Sequence, residues 1–416
     1  MGAACKKVLS VWAAIAALPI FSAVLVGPVY AQEAPPVASA EMLLGADIKG
    51  ENWTVAPDVQ SDGFLRLFNV TTPYDEFQIG GERRMNERLQ ELRALQILEQ
   101  MSRTTVFTDA LERGAMAPIR FGRDLVDDPI ETTGNFFSGV GRTLRSVAGG
   151  VQSAVTDRDG PPARDPLFER IVGITRTERE LAAQLGVDPH SDYVPLRTGL
   201  ADVANVSVAG GFSISAAISA IPGGAGVVAS YGATGAKYSR ETDGLSSGQI
   251  VERVAEELLA LGVAEETAKR FTDNQWFSPF DLFVIADSLE LLHAENAEGF
   301  VALAADAASF DVAKFHRHRA ELLASELVRE RLGVLGEFVV VSGVALSRNS
   351  SGTLVAVFPF DVVSWTYATQ EVVIPLSQGI AALGEANAPI FAMTGDLTPN
   401  ANYQLRQLGW TLASLD

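Results

Sequence analysis

A single cysteine, Cys5, stands in 416 residues, and it precedes the first long apolar run. Beyond it the chain can form no disulfide and offers no thiolate, so its stability must come from its core. Histidine is nearly as sparse, with His190, His293, His316 and His318 the complete set. No HExxH occurs. His316 and His318 are two residues apart, a spacing that faces different sides of a helix, and Arg317 and Arg319 flank them. They read as surface histidines and not as metal ligands. His190 lies between Asp188 and Asp192 and beside Ser191, but neighbours in one turn do not make a triad, which is assembled in space. No G-x-S-x-G elbow is present, since Gly211–Ser215 lacks the closing glycine. Gly224–Ala229 matches the dinucleotide fingerprint with Asp243 downstream. Pro222 interrupts any preceding strand and no βαβ pattern follows, so no cofactor and no metal are expected.

Positive charge is also in short supply. Against 51 Asp and Glu stand 32 Lys and Arg, a formal charge of −19, and Lys6 and Lys7 belong to the N-terminal segment. Nucleic acid repels so acidic a chain and is set aside as a partner.

What is present begins with a leader. Lys6 and Lys7 precede an apolar run from Val8 to Val29, and Val29-Tyr-Ala31 is a small-residue cleavage site. Residues 1–31 read as a cleaved signal peptide. With the cysteine-free, Ala/Gly-rich remainder, this points to the periplasm or envelope of a bacterium.

The mature chain is organised around 203–236, which holds 34 residues without a charge, 21 of them Gly, Ala or Ser. From Val206 to Ile214 larger and smaller residues alternate, a strand signal. From Gly211 the small residues Gly211, Ser215, Ser219 and Gly223 recur beside Ile214, Ile218 and Ile221, a helical pattern suited to close backbone approach. Pro222 breaks either element. The stretch reads as a buried hairpin, a membrane-inserting one, or a docking surface.

A second unusual stretch is 131–155. Phe137, Val140, Leu144, Val147, Val151 and Val155 recur at spacings of three and four, and Arg142 and Arg145 are the only charges between Glu131 and Asp157. A cationic amphipathic helix lying in a membrane interface has this profile, with Phe136 and Phe137 as apolar anchors. A helix packed on the body of the domain is the alternative.

Elsewhere the punctuation is ordinary. Residues 32–72 read as an extended arm with short strands at best. Glu82 to about Arg103 has helical apolar spacing, and its Arg and Glu residues form solvated faces. Thr177–Glu180 reads as a capping box and Gly186 as the end of that helix. Helices follow from Ser246 to Gly333, with caps at Ser246 and at Ser278-Pro279. Val/Phe-rich runs over Phe338–Ser347 and Thr353–Asp361, joined by Arg348–Gly352, signal a hairpin. Val372–Leu376 is a candidate strand, as is Pro389–Thr394, and Thr398–Leu408 is a helix.

The expected fold class is therefore α+β: mainly α-helical, with a helical array over 246–333 and a small α/β module over 334–416. Residues 73–245 form a helical region containing both apolar stretches. The expected function is that of an exported cell-envelope protein without catalytic activity. It contacts a membrane surface or an envelope protein through Phe136, Phe137, Arg142, Arg145, Phe212, Ile214, Ile218 and Ile221. The alternative is a periplasmic hydrolase or small-molecule binding protein with its site near Asp361 and Asp396, beyond the strand ends of the C-terminal module.

Overall fold

The computed structural model describes residues 32–114, 175–219 and 232–415, and shows mixed α+β content with several sheets. The leader, the stretch 131–155, Ile221 and the glycine fingerprint all lie outside the described residues.

The N-terminal segment is not an extended arm. β1 (Ala38–Ser39), β2 (Thr54–Val55), β3 (Asp58–Ser61), β4 (Arg66–Thr71) and β5 (Glu76–Gly80) form an antiparallel sheet, with the short helix α1 (Ala40–Leu44) between β1 and β2. β4 is central. Its Phe68 and Val70 point inward while Asn69 and Thr71 point out, the period-two pattern of a half-buried strand. The sheet extends past Pro73 because Thr72 closes a tight turn, its hydroxyl meeting Asp75, and β5 returns along β4.

Two helices follow, α2 (Glu82–Ser102) and α3 (Thr105–Arg113), and then α4 (Arg176–Leu185), α5 (Val194–Gly210) and α6 (Ile214–Ser219). The box that starts α4 is Thr175 with Glu178, one match upstream of Thr177–Glu180. Gly186 ends α4 in the left-handed conformation, as its position implied. The alternation over Val206–Ile214 is no strand. Leu196, Leu200, Val203, Val206 and Gly210 are buried at helical spacing on α5, and Gly211, at φ 65°, ends the helix. Gly210 packs on Ala110 of α3 so closely that a Cβ there would overlap the Ala110 side chain and backbone. The small residues thus serve close helix approach within the fold.

α7 (Gly232–Glu241) leads into α8 (Ser247–Ala260), α9 (Glu265–Thr272), α10 (Pro279–Leu291), α11 (Glu298–Ala305), α12 (Phe310–Leu323) and α13 (Glu326–Leu332). Ser246 with Gln249 and Ser278 with Asp281 form complete capping boxes. The helical stretch from Phe310 to Leu332 is two helices, because Ser325 caps a new start at α13.

β6 (Leu335–Val341), β7 (Val344–Asn349) and β8 (Leu354–Phe358) form an antiparallel meander. β8, β10 (Ile390–Met393) and β12 (Thr411–Ser414) are parallel, linked through α14 (Tyr367–Ala382) and α15 (Pro399–Gln407). β9 (Val362–Val363) and β11 (Asp396–Leu397) make a separate parallel pair. The run Phe338–Ser347 is itself a hairpin, turning at Ser342 and Gly343, both with positive φ. Val372–Leu376 lies within α14 and is not a strand.

The two ends of the chain are joined. Glu33 donates its N–H to the Trp365 carbonyl, and its carboxylate accepts from the Trp365 N–H and the Thr398 hydroxyl. Asp361 accepts from the backbone N–H of Arg66 at 2.8 Å and of Glu82, the first residue of α2, at 3.1 Å. α12 is the central helix. It packs against α10 on one side and β8 on the other.

Candidate functional site

The charges of α2 are not all solvated. Arg84, Glu87, Arg88 and Glu91 stand at helical spacings of three and four, and Arg84, Arg88 and Glu91 are buried. They face the turn Asp188–Asp192 between α4 and α5. That turn is held by its own side chains: the Asp188 carboxylate accepts the His190 N–H at 2.8 Å, and Ser191 Oγ accepts the Tyr193 N–H. Ser191 Oγ in turn donates to Glu91 at 2.6 Å. Asp192 receives Arg84 and, at 2.9 Å, Arg88. Arg88 also lies 4.6 Å above the Tyr193 ring.

α10 and α12 complete the cluster. Asp281 is 0 % exposed in the helix whose sequence is PFDLFVIADSLEL. It accepts from Lys314 Nζ at 2.8 and 3.0 Å, and its carboxylate lies 2.9 Å from Arg317 Nε. Ser278 donates its N–H and its hydroxyl to the same carboxylate while its Oγ caps the Asp281 N–H. Lys314 Nζ also reaches Asp188 at 3.3 Å, and Arg317 reaches Glu87 at 2.6 Å. His318 meets Glu87 at 2.8 Å. The histidines of α12 are thus interior, not surface, residues. They point to different sides, as their spacing requires, with His316 set edge-on to Phe300.

Burial and partner charge set the protonation states. Burial opposes ionising Asp281, but Lys314 and Arg317 outweigh it and hold its carboxyl below the usual range. Glu87 and Asp192 are held low in the same way by their arginines. Burial pushes Asp188 up to about 6 against the pull of Lys314. Burial likewise disfavours charge on Lys314, yet Asp281 and Asp188 raise its pKa. Burial takes His190, His316 and His318 down to about 3, so all three are neutral.

These states decide the chemistry. A lysine pinned as a cation by two carboxylates is no general base, and imidazoles titrating near 3 are poor ones. Ser278 is committed to capping α10. Ser, Lys, His and Asp are therefore assembled, but the pairing of charge is what they accomplish. Among the described residues no three His, Cys, Asp or Glu are grouped to hold a metal ion. No protein-family model, curated protein or solved structure matches this chain.

Of the contact residues singled out from the sequence, three lie among the described residues. Phe212, Ile214 and Ile218 are buried in the core that α2, α3 and α5 share with the N-terminal sheet, with Phe212 edge-on to Phe107. Phe136, Phe137, Arg142, Arg145 and Ile221 lie outside the described residues. Asp361 and Asp396 do not converge. The Asp361 carboxylate turns to the start of α2, its backbone carbonyl accepts the Asp396 N–H, and the Asp396 side chain is exposed. Burial pushes Asp361 up to about 7, with the Glu82 charge adding and the backbone donors and Arg66 opposing.

Gly395 makes this junction. A Cβ there would run into the carbonyl groups of Asp361 and Phe360. Gly395→Ala is expected to force the two loops apart and lower stability by about 1–3 kcal/mol, the range for overpacking, read as a lower urea midpoint. An unchanged midpoint would contradict the close approach.

Sequence reasoning missed Asp281, Lys314 and Arg317. The available signal was one carboxylate inside Phe280–Ala286, which is otherwise apolar. Such a charge must be paired.

Proposed function

We propose that this chain is an exported bacterial envelope protein without catalytic activity, whose acidic body docks on a membrane surface through 131–155. The body comprises the helical array over 246–333, the α/β module over 334–416 and the N-terminal sheet, tied by the ionic cluster. Residues 1–31, as a cleaved leader, supply the route. The observation that supports the docking reading is a corner of the described fold where α3 and α5 meet. Ala110 of α3 touches Gly210 of α5 there. Gly114, where the described chain leaves for 115–174, lies one turn beyond Ala110. α6, which leads to 220–231, starts beside the same joint. The segments 115–174 and 220–231, which hold or border the two apolar stretches, therefore begin near one corner of the described fold.

Phe212, Ile214 and Ile218 anchor that corner from inside, which leaves Phe136, Phe137, Arg142 and Arg145 as the contact residues. Anionic headgroups would neutralise the two arginines while the two rings enter the interface. The test is flotation of the mature protein with anionic vesicles at low and high salt. Binding that persists at high salt and is lost in Phe136→Ser/Phe137→Ser is expected. A protein that stays at the bottom of the gradient in both salts would end the reading.

A further inference from the structure

We infer that the Trp365 main chain and the Thr398 hydroxyl form a receptor for a glutamate in an extended peptide. The chain's own residues 32–37 fill it in this structure as a displaceable plug. The bound group is Glu33. Its N–H donates to the Trp365 carbonyl at 3.1 Å, and its Oε1 accepts the Trp365 N–H at 2.6 Å and the Thr398 hydroxyl. One residue thus meets both polar groups of the Trp365 main chain, with its own N–H on one and its carboxylate on the other. The donors are fixed by what surrounds them. Thr398 Oγ caps α15 by accepting the Ala401 N–H, so its single proton is left for Glu33. Trp365 is 0 % exposed and stands just before Thr366, the cap of α14.

The segment that delivers Glu33 is not built into the body. Gln32 and Ala34–Val37 are exposed, residues 32–37 belong to no helix or strand, and sheet pairing starts only at β1. Pro35 and Pro36 have no N–H to give to a sheet edge. Glu33 is therefore the anchor of this strap. The junction at Asp361 differs, because the N–H groups it receives belong to β4 and α2 and cannot leave without them. When Glu33 lifts off, the buried Trp365 N–H and the Thr398 proton lose this acceptor, and a buried donor left unmade is costly. The vacated receptor favours a new acceptor, and a carboxylate makes a stronger bond than a neutral one. A second peptide that brings N–H and carboxylate on one glutamate repeats every contact, with the main-chain pairing usual in peptide recognition. Its competitor is the tethered strap, at an effective concentration on the order of millimolar.

The probe is a fluorescein-labelled peptide with the sequence of residues 32–37, read by polarisation. Glu33→Ala vacates the carboxylate position. That variant is expected to bind the peptide more tightly than the unaltered protein, by about tenfold or more, because the competing strap is disarmed. A peptide with alanine in place of its glutamate should bind neither protein. Should Glu33→Ala fail to fold, hydrogen exchange in the unaltered protein decides. Excess peptide should speed exchange of the Glu33 N–H, which the displaced strap exposes, and the alanine peptide should not. A folded Glu33→Ala that binds no tighter than the unaltered protein, or a Glu33 exchange rate that excess peptide leaves unchanged, would overturn the receptor.

Discussion

Asp281→Ala is expected to destabilise the protein by about 3–5 kcal/mol, the cost of breaking a buried pair by removing one partner. The carboxylate meets two cations inside the fold, Lys314 and Arg317. Arg317 keeps Glu87 and, at 3.7 Å, Glu321. Among the described residues Lys314 keeps only Asp188, at 3.3 Å. Lys314 is therefore the group stranded, and the double variant Asp281→Leu/Lys314→Met should recover much of the loss. Replacing a whole buried pair by apolar groups of similar size is often neutral or stabilising. Urea unfolding of the two variants and the wild type supplies the comparison. A single-variant cost below about 1 kcal/mol would mean that water reaches Lys314 and that the cluster is not a sealed interior.

The second large effect is a stability profile that is flat in mild acid and then collapses. His190, His316 and His318 titrate near 3 in the folded protein, well below an ordinary imidazole. The unfolded chain binds those three protons as pH falls through about 6.5, and the folded chain does not. Taken alone, this removes stability between there and pH 3. Asp188, Asp311 and Asp361 act with the opposite sign, because burial raises them to about 6, 6 and 7. The folded chain takes up these three protons before an unfolded carboxylate does, at about 3.9, which adds stability as pH falls. Three protons on each side leave little slope between about pH 6 and pH 4.

Below that window the balance ends. Glu87, Asp192 and Asp281 are held low by their cations, so the unfolded chain now gains three protons that the folded one refuses. The three histidine protons are no longer offset there either, since unfolded carboxylates are now protonated too. Up to six protons then separate the states, and stability should fall by about 6–8 kcal/mol per pH unit. Thermal midpoints measured from pH 7 to pH 3 should show a plateau and a break near pH 4. His316→Phe unbalances the plateau. That variant should gain stability toward acid, by about 1.4 kcal/mol per pH unit. A wild-type midpoint that declines steadily from pH 6.5 would show that the buried carboxyls do not hold their protons.

Local signals were legible where one element decides its own form. Ser246, Ser278 and Gly186 do their capping through side chains or backbone a few residues away, and the sequence displays both partners. The alternation over Val206–Ile214 misled because Gly and Ala leave the two periods hard to separate; only the Ala110 contact shows which face is inside. The cluster was illegible for another reason. Arg84, Glu87, Arg88 and Glu91 have the spacing of a solvated stripe, and their partners lie about a hundred residues away at Asp192 and farther still at Arg317. A charged stripe says which face it occupies but not whether water or another helix covers it. Asp361 was conspicuous at a strand end, yet what its carboxylate meets is the backbone of Arg66 and Glu82, which no side-chain pattern announces.

That last contact joins residues 295 positions apart. As the chain emerges from a ribosome, α2 reaches the exit long before the carboxylate that caps its first turn, and Trp365, the anchor for Glu33, follows only a few residues behind that carboxylate. The contacts that Asp361 and Trp365 make with the amino-terminal segment thus wait until residue 365 has been made. Under the export route proposed above, such delayed closure would leave the final locking step for the far side of the membrane.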